Sequence, residues 1–288
     1  MNKKVKVIIA GAVIAVVGVV VLLCALGMSG WNVDDVSDWQ QDSFSADGAI
    51  TKLQLKVNVG KVIIKKGDTE KVGITYEYNN RYQPKITESA GVLNVETGRT
   101  KWYEFNWFQL NLWVDSTPTM EVVVPQNSQP QIDLVLNAGT VELGDGNWGA
   151  LIDVELNAGA MTVGNVVADQ VKIDISAGAF SADKIESSKV TCNMSAGGFD
   201  VKEVVCNEFA CDISAGGVNV KKLDSRAVKV DVSAGSANLG LAGTQSDYNV
   251  RVDKSAGSCN VSSQTNASAT RTLFIDISAG SVTVTFGK

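Results

Sequence analysis

The chain has 288 residues, 45% of them hydrophobic and 19% charged, with 27 Gly, 4 Pro and no His. That is too apolar for a disordered protein and too long for a disulfide-stapled miniature, and the missing imidazole excludes Ser/His and Cys/His nucleophile pairs and His-ligated zinc. The formal net charge is −6, and the part after residue 28 carries 22 basic against 31 acidic side chains, a balance that disfavours nucleic acid as a partner.

Residues 5–28 hold no charge except Lys6, and Val7 to Leu26 form an unbroken run of Val, Ile, Leu, Ala, Gly and one Cys. Twenty such residues span a bilayer core of roughly 30 Å as a helix. Lys3, Lys4 and Lys6 precede the run, whereas Asp34, Asp35, Asp38 and Asp42 follow it. The positive-inside rule therefore predicts a cytoplasmic tail (1–4), a single transmembrane anchor (5–28) and an extracytoplasmic remainder at the cell membrane. The run is longer than the apolar core of a cleaved signal. Residues 29–45 read as a polar tether.

Residues 46–130 are strand-rich but irregular: L-Q-L-K-V-N-V, K-V-I-I-K, V-G-I-T-Y-E-Y, V-L-N-V and M-E-V-V-V-P. They are expected to supply the first turns of the domain and to cover its first edge. The segment K-W-Y-E-F-N-W-F inside this region places Trp102, Tyr103 and Trp107 close together. It reads either as an aromatic hairpin capping the core or as an exposed patch for a protein, a glycan or the bilayer surface.

From residue 131 one phrase recurs: N-A-G at Asn137 and Asn157, then S-A-G at Ser176, Ser195, Ser214, Ser233, Ser255 and Ser278, spaced 20, 19, 19, 19, 19, 22 and 23 residues apart. V-N-V-G-K-V at Val57–Val62 is a weaker ninth copy. Apolar residues stand two and four positions before each Ala and resume after each Gly, with polar residues between, which is the period of half-buried strands. One such unit cannot bury its apolar row alone. Stacked at about 4.8 Å, the units predict an all-β fold, a parallel β-solenoid of about 19-residue coils (131–288) preceded by the one membrane helix. The insertions at Gln245–Tyr248 and Ser262–Thr270 read as projecting loops, and the eighth unit is expected to leave an open edge inviting edge-to-edge self-association.

Outward-facing acids recur three positions before the Ala: Asp174, Asp212, Asp231, Asp253 and Asp276, with Asn193 in the same row. Two readings are open: a cation ladder relieving the repulsion between stacked carboxylates, or a solvated row whose carboxylates accept hydrogen bonds near the bend, from the following Ser for example. No metal-ligand motif, catalytic motif or cofactor signature accompanies it. Cys192 and Cys211 fall in register one coil apart, either as buried thiols or as a bridge.

The phrases V-N-V-G-K-V-I-I-K-K-G-D, V-V-V-P and S-A-G-x-V-x-V make the chain, over roughly residues 46–288, similar to the bacterial "putative adhesin" β-strand-repeat family. The resemblance implies a membrane-anchored envelope protein with no established catalytic activity. The stacked faces themselves read as a non-catalytic binding or scaffold surface, with an envelope protein or surface glycan as partner. The alternative left open is an accessory or sensing subunit of an envelope-stress system or membrane transporter.

Overall fold

In a computed structural model of the chain we describe residues 39–80, 82–98 and 117–287. The expected membrane helix (5–28) and Trp102, Tyr103 and Trp107 lie outside them. Among the described residues no helix is long and apolar enough to cross a membrane.

Residues 41–100 and 117–288 form one compact unit. Its chain order is β1 (Gln40–Ser45), β2 (Lys52–Val57), β3 (Lys61–Gly67), β4 (Gly73–Tyr78), β5 (Lys85–Ser89), β6 (Val92–Thr97), β7 (Thr119–Pro125), β8 (Gln131–Leu136), β9 (Thr140–Leu143), β10 (Gly146–Asn147), β11 (Leu151–Leu156), β12 (Ala160–Ala242), β13 (Tyr248–Lys254), β14 (Ser258–Cys259), β15 (Arg271–Ile277) and β16 (Ser281–Gly287). β12 is a continuously paired segment that winds through successive coils. The 19-residue step is visible at its start, where Leu151 pairs with Gln170 and Leu156 with Ile175.

Each coil contributes one strand before the A-G corner and one after it. The first strands stack in parallel register, so that Leu55, Leu134, Val154 and Ile173 form one buried column. The second strands do the same from Val62 through Val141 to Met161. Alternate residues point inward because side chains in a strand alternate faces, and stacking converts every short apolar row into a continuous core.

The corner explains the glycine. A Cβ on Gly197 would lie 2.2 Å from the Gly178 carbonyl oxygen, and one on Gly216 would lie 2.4 Å from that of Gly197, with φ at +129° and +108°. Both the close backbone approach and the positive φ exclude a side chain there. Asn137 donates to Asn58 Oδ1 at 2.7 Å and Asn157 to Asn137 Oδ1 at 2.9 Å, so the N-A-G copies carry an amide ladder in the early coils.

Coil order departs from chain order at both ends. β2 pairs on one side with β6 and on the other with β8, while β3 lies between β7 and β9. The first coil in the chain is therefore the second in space. At the far end β15 pairs with residues 227–232 of β12 on one side and with β13 on the other, and β16 lies between residues 236–242 of β12 and β14. The glycine column follows the same order, from Gly235 to Gly280 and then Gly257. The expectation that the last repeat forms the open edge is thus corrected: that coil is sandwiched, and the outermost coil is β13–β14.

Three further expectations change. The last six residues of the expected tether form β1, which pairs with β4. Tyr248 is not in a projecting loop: after a 3₁₀ turn at Gln245–Asp247 its ring is fully buried, its hydroxyl donates to the Ala242 carbonyl at 2.8 Å, and Arg271 caps it from 3.2 Å while pairing with Asp224 at 2.8 Å. That corner holds the inserted strand in place. The loop at 262–270 folds back on β13, where Val250 and Gln264 exchange backbone hydrogen bonds of 2.9 and 2.8 Å. At the opposite end, antiparallel β4 and β5 cover β7 and β6, as expected for an edge that must not be left open.

Candidate functional site

The rows that matter for recognition lie on the outer face of the first-strand sheet, toward the β13 end. Asp174, Asp212, Asp231, Asp276 and Asp253 stand in one outward row, in that spatial order. Asp276 sits in register between Asp231 and Asp253, which pair with it across β12–β15 and β13–β15. Chain order had placed Asp253 next to Asp231.

Two residues earlier on the same strands a second row faces outward: Lys172, Thr191, Ala210, Lys229, Phe274 and Arg251, three of the six cationic. Lys172 bridges Asp174 at 2.5 Å and Asp153 at 3.4 Å, Lys229 holds Asp231 at 2.8 Å, and Arg251 holds Asp253 at 2.8 Å. Asn193 donates to Asp174 at 2.6 Å. The neighbouring carboxylates hold Lys172 and Lys229 above the ordinary lysine value, chiefly by accepting hydrogen bonds from them at Asp174 and Asp231. Three of the five acids, Asp174, Asp231 and Asp253, are therefore matched by cations from the same strands, at the modest strength of exposed pairs. Among the described residues Asp212 and Asp276 make no salt bridge or hydrogen bond.

Phe274 is the aromatic of this face. Lys229 lies 5.9 Å from its ring centroid and Arg251 5.3 Å, a cation on each neighbouring coil. Beside it a shallow open depression of about 380 Å³ is lined by Lys229, Asp231, Ser233, Phe274, Asp276 and Ser278 over the buried Val232. The S-A-G serines form a third exposed row, and the hydroxyls of Ser176, Ser195, Ser214, Ser233, Ser278 and Ser255 bond to nothing among the described residues. A Ser-to-carboxylate bond at the bend is therefore not how these acids are held.

Sequence reasoning found the acids and missed Lys229, Phe274 and Arg251. The basic residues two positions before Asp174, Asp231 and Asp253 were a readable signal. Phe274 was not, because only the coil insertion places it between two cations.

Other candidate groups lie apart from this face. Cys192 and Cys211 are buried free thiols, and a hydrogen bond donated to Cys192 together with burial pushes the Cys211 thiol well up. Lys66 is half-buried against Trp148, 4.4 Å from its ring centroid, and donates to the Ser128 carbonyl; burial pushes it down to about 8. Among the described residues no group of three or more His, Cys, Asp or Glu is placed to hold a metal ion.

Among the described residues, stacked parallel coils with outward polar rows define the class: a repeat-built β-solenoid. The sequence matches the Toastrack DUF4097 family over residues 50–285, and the chain belongs to that family. In structure it resembles a putative adhesin from Bacteroides fragilis NCTC 9343, with a TM-score of 0.57 at 10% identity, covering 86% of this chain and 97% of the other. It also resembles a putative lipid binding protein from Parabacteroides distasonis ATCC 8503, with a TM-score of 0.50 at 12% identity and the same coverages of 86% and 97%. At such identities the likeness is one of fold. No curated protein is detectably similar to the chain in sequence.

Proposed function

We propose that the chain is a non-catalytic binding or scaffold protein of the bacterial cell envelope, adhesin-like, held at the membrane by segment 5–28 with the stacked coils outside. One observation carries this reading: the outer face repeats acidic and hydroxyl groups coil by coil, several of them without a partner among the described residues, with Lys229 and Arg251 on either side of the ring of Phe274. Unsatisfied donors and acceptors on a rigid sheet face suit contact with an envelope protein or a surface glycan. The family and the adhesin-like fold support the same reading.

The test is retention on isolated cell envelopes. The wild-type chain is expected to be retained, and Phe274→Ala with Asp276→Ala to reduce the retained fraction by about fivefold or more. Retention no greater than that of an unrelated acidic membrane protein, or equal for wild type and variant, overturns the proposal.

A further inference from the structure

The same face has an internal symmetry. Along its last six coils the rows run in a fixed order across the strands: a polar row containing Gln170, Lys189 and Thr272, the row from Lys172 to Arg251, the acid row from Asp174 to Asp253, and the serine row. A two-fold axis parallel to the stack, set between the basic and acidic rows, lays each basic row over the acidic row of another copy, coil for coil. Lys229 then meets Asp231, Arg251 meets Asp253, and Asp276 meets the electropositive edge of Phe274. The partnerless serines meet the outermost polar row. A two-fold axis along the strands instead opposes basic row with basic row and acid row with acid row.

We propose that this face pairs with the same face of a second copy of the chain, the two stacks side by side and pointing the same way. The inference deepens the binding-surface reading and rests on it for the face being available. Its extent follows from charge. The coil before Lys172 presents Asp153 and Glu155, which would meet like charges, so the contact ends at the Lys172 coil. Six coils of six-residue strands measure roughly 29 by 20 Å, near 600 Å² per copy, above the roughly 1,000 Å² in total that a specific interface needs. In the pair each ammonium or guanidinium lies between two carboxylates, and Asp276, wedged between Asp231 and Asp253, gains the contact it lacks in the single chain. Such an interface is polar and weakens with salt.

The experiment uses the full chain in detergent micelles, with native mass spectrometry and light scattering reading the oligomer at tens of micromolar. The wild type is expected to be dimeric at low salt and to dissociate as salt rises. At these two coils Lys229→Glu with Arg251→Glu makes both rows acidic, and Asp231→Lys with Asp253→Lys makes both basic. Each variant alone is expected to self-associate about tenfold more weakly or worse. Mixed, the two are expected to form a one-to-one heterodimer. A monomeric wild type, or a mixture that associates no better than its components, overturns the pairing.

If a charge variant loses its β-sheet spectrum, a cysteine pair decides. Ala227→Cys in one chain and Ser233→Cys in another should cross-link under mild oxidation when mixed, and failure to do so overturns the proposal. Envelope retention is read on the same samples. Retention without dimer removes this inference and leaves the envelope-binding reading standing; dimer without retention does the reverse.

Discussion

Two adjacent glycines separate two causes of glycine use. Gly197 sits at the corner with positive φ, its would-be Cβ 2.2 Å from the Gly178 carbonyl, whereas Gly198 has nothing within 4 Å of that position. Gly197→Ala is expected to cost about 2–3 kcal/mol, from the strained backbone and the clash, and Gly198→Ala to stay within about 0.5 kcal/mol. Chemical denaturation of both variants checks the contrast. Lys66 gives a pH-dependent counterpart. Its folded pKa of about 8 lies below the 10.5 of the unfolded chain, so the unfolded state holds the proton more tightly and stability rises with pH between those values. Lys66 remains partly solvated, so the effect is discounted to on the order of 1 kcal/mol. Lys66→Met is expected to be more stable than wild type near neutral pH, with the advantage fading toward pH 10.5; an advantage independent of pH contradicts this account.

At the scale of elements, one tripeptide takes two forms. Ser176-Ala177-Gly178 turns a coil corner, while Ser89-Ala90-Gly91 makes the tight hairpin between β5 and β6, with Ala90 at φ 50° and Gly91 at 75°. The period marked the corners because eight copies share their apolar flanks. The hairpin copy has no such frame, since Ser89 is preceded by the exposed-edge strand β5 rather than by a buried row. The corner and strand pattern was therefore legible in the repeat, as were the inward columns and the outward acids. The basic partners of those acids stood two residues away and were legible in principle. The position of Phe274 was not, because a residue's neighbours across a sheet depend on which strand lies beside it, and spacing along the chain is silent on that.

For the whole molecule, insertion of the first and last chain coils inside the stack makes a prediction that chain-order stacking does not. Ending the chain at residue 261 removes β15 and β16 and leaves β13 and β14 intact in sequence, yet strips them of the strands they pair with. Tyr248 also loses the guanidinium of Arg271 and its contact with Phe286, whose ring centroid lies 5.6 Å away. Amide exchange in residues 248–259 is expected to approach that of unstructured chain, while residues 151–194 keep their protection. Retained protection in 248–259 would mean that this coil stacks directly on residues 227–242.

By itself the sequence determined the all-β class, the roughly 19-residue period, the buried columns, the need for glycine at each corner and the outward row of acids. These follow from local alternation and repetition, which hold whatever the order of coils. The tertiary structure alone decided that order: which coil ends the stack, that Asp276 stands between Asp231 and Asp253, and that Phe274 stands between Lys229 and Arg251. Repeats with the same apolar pattern fit beside one another in many orders. The choice among them is made by contacts specific to the two ends, such as Tyr248 buried beneath Arg271 and the antiparallel strands β4 and β5 closing the opposite edge.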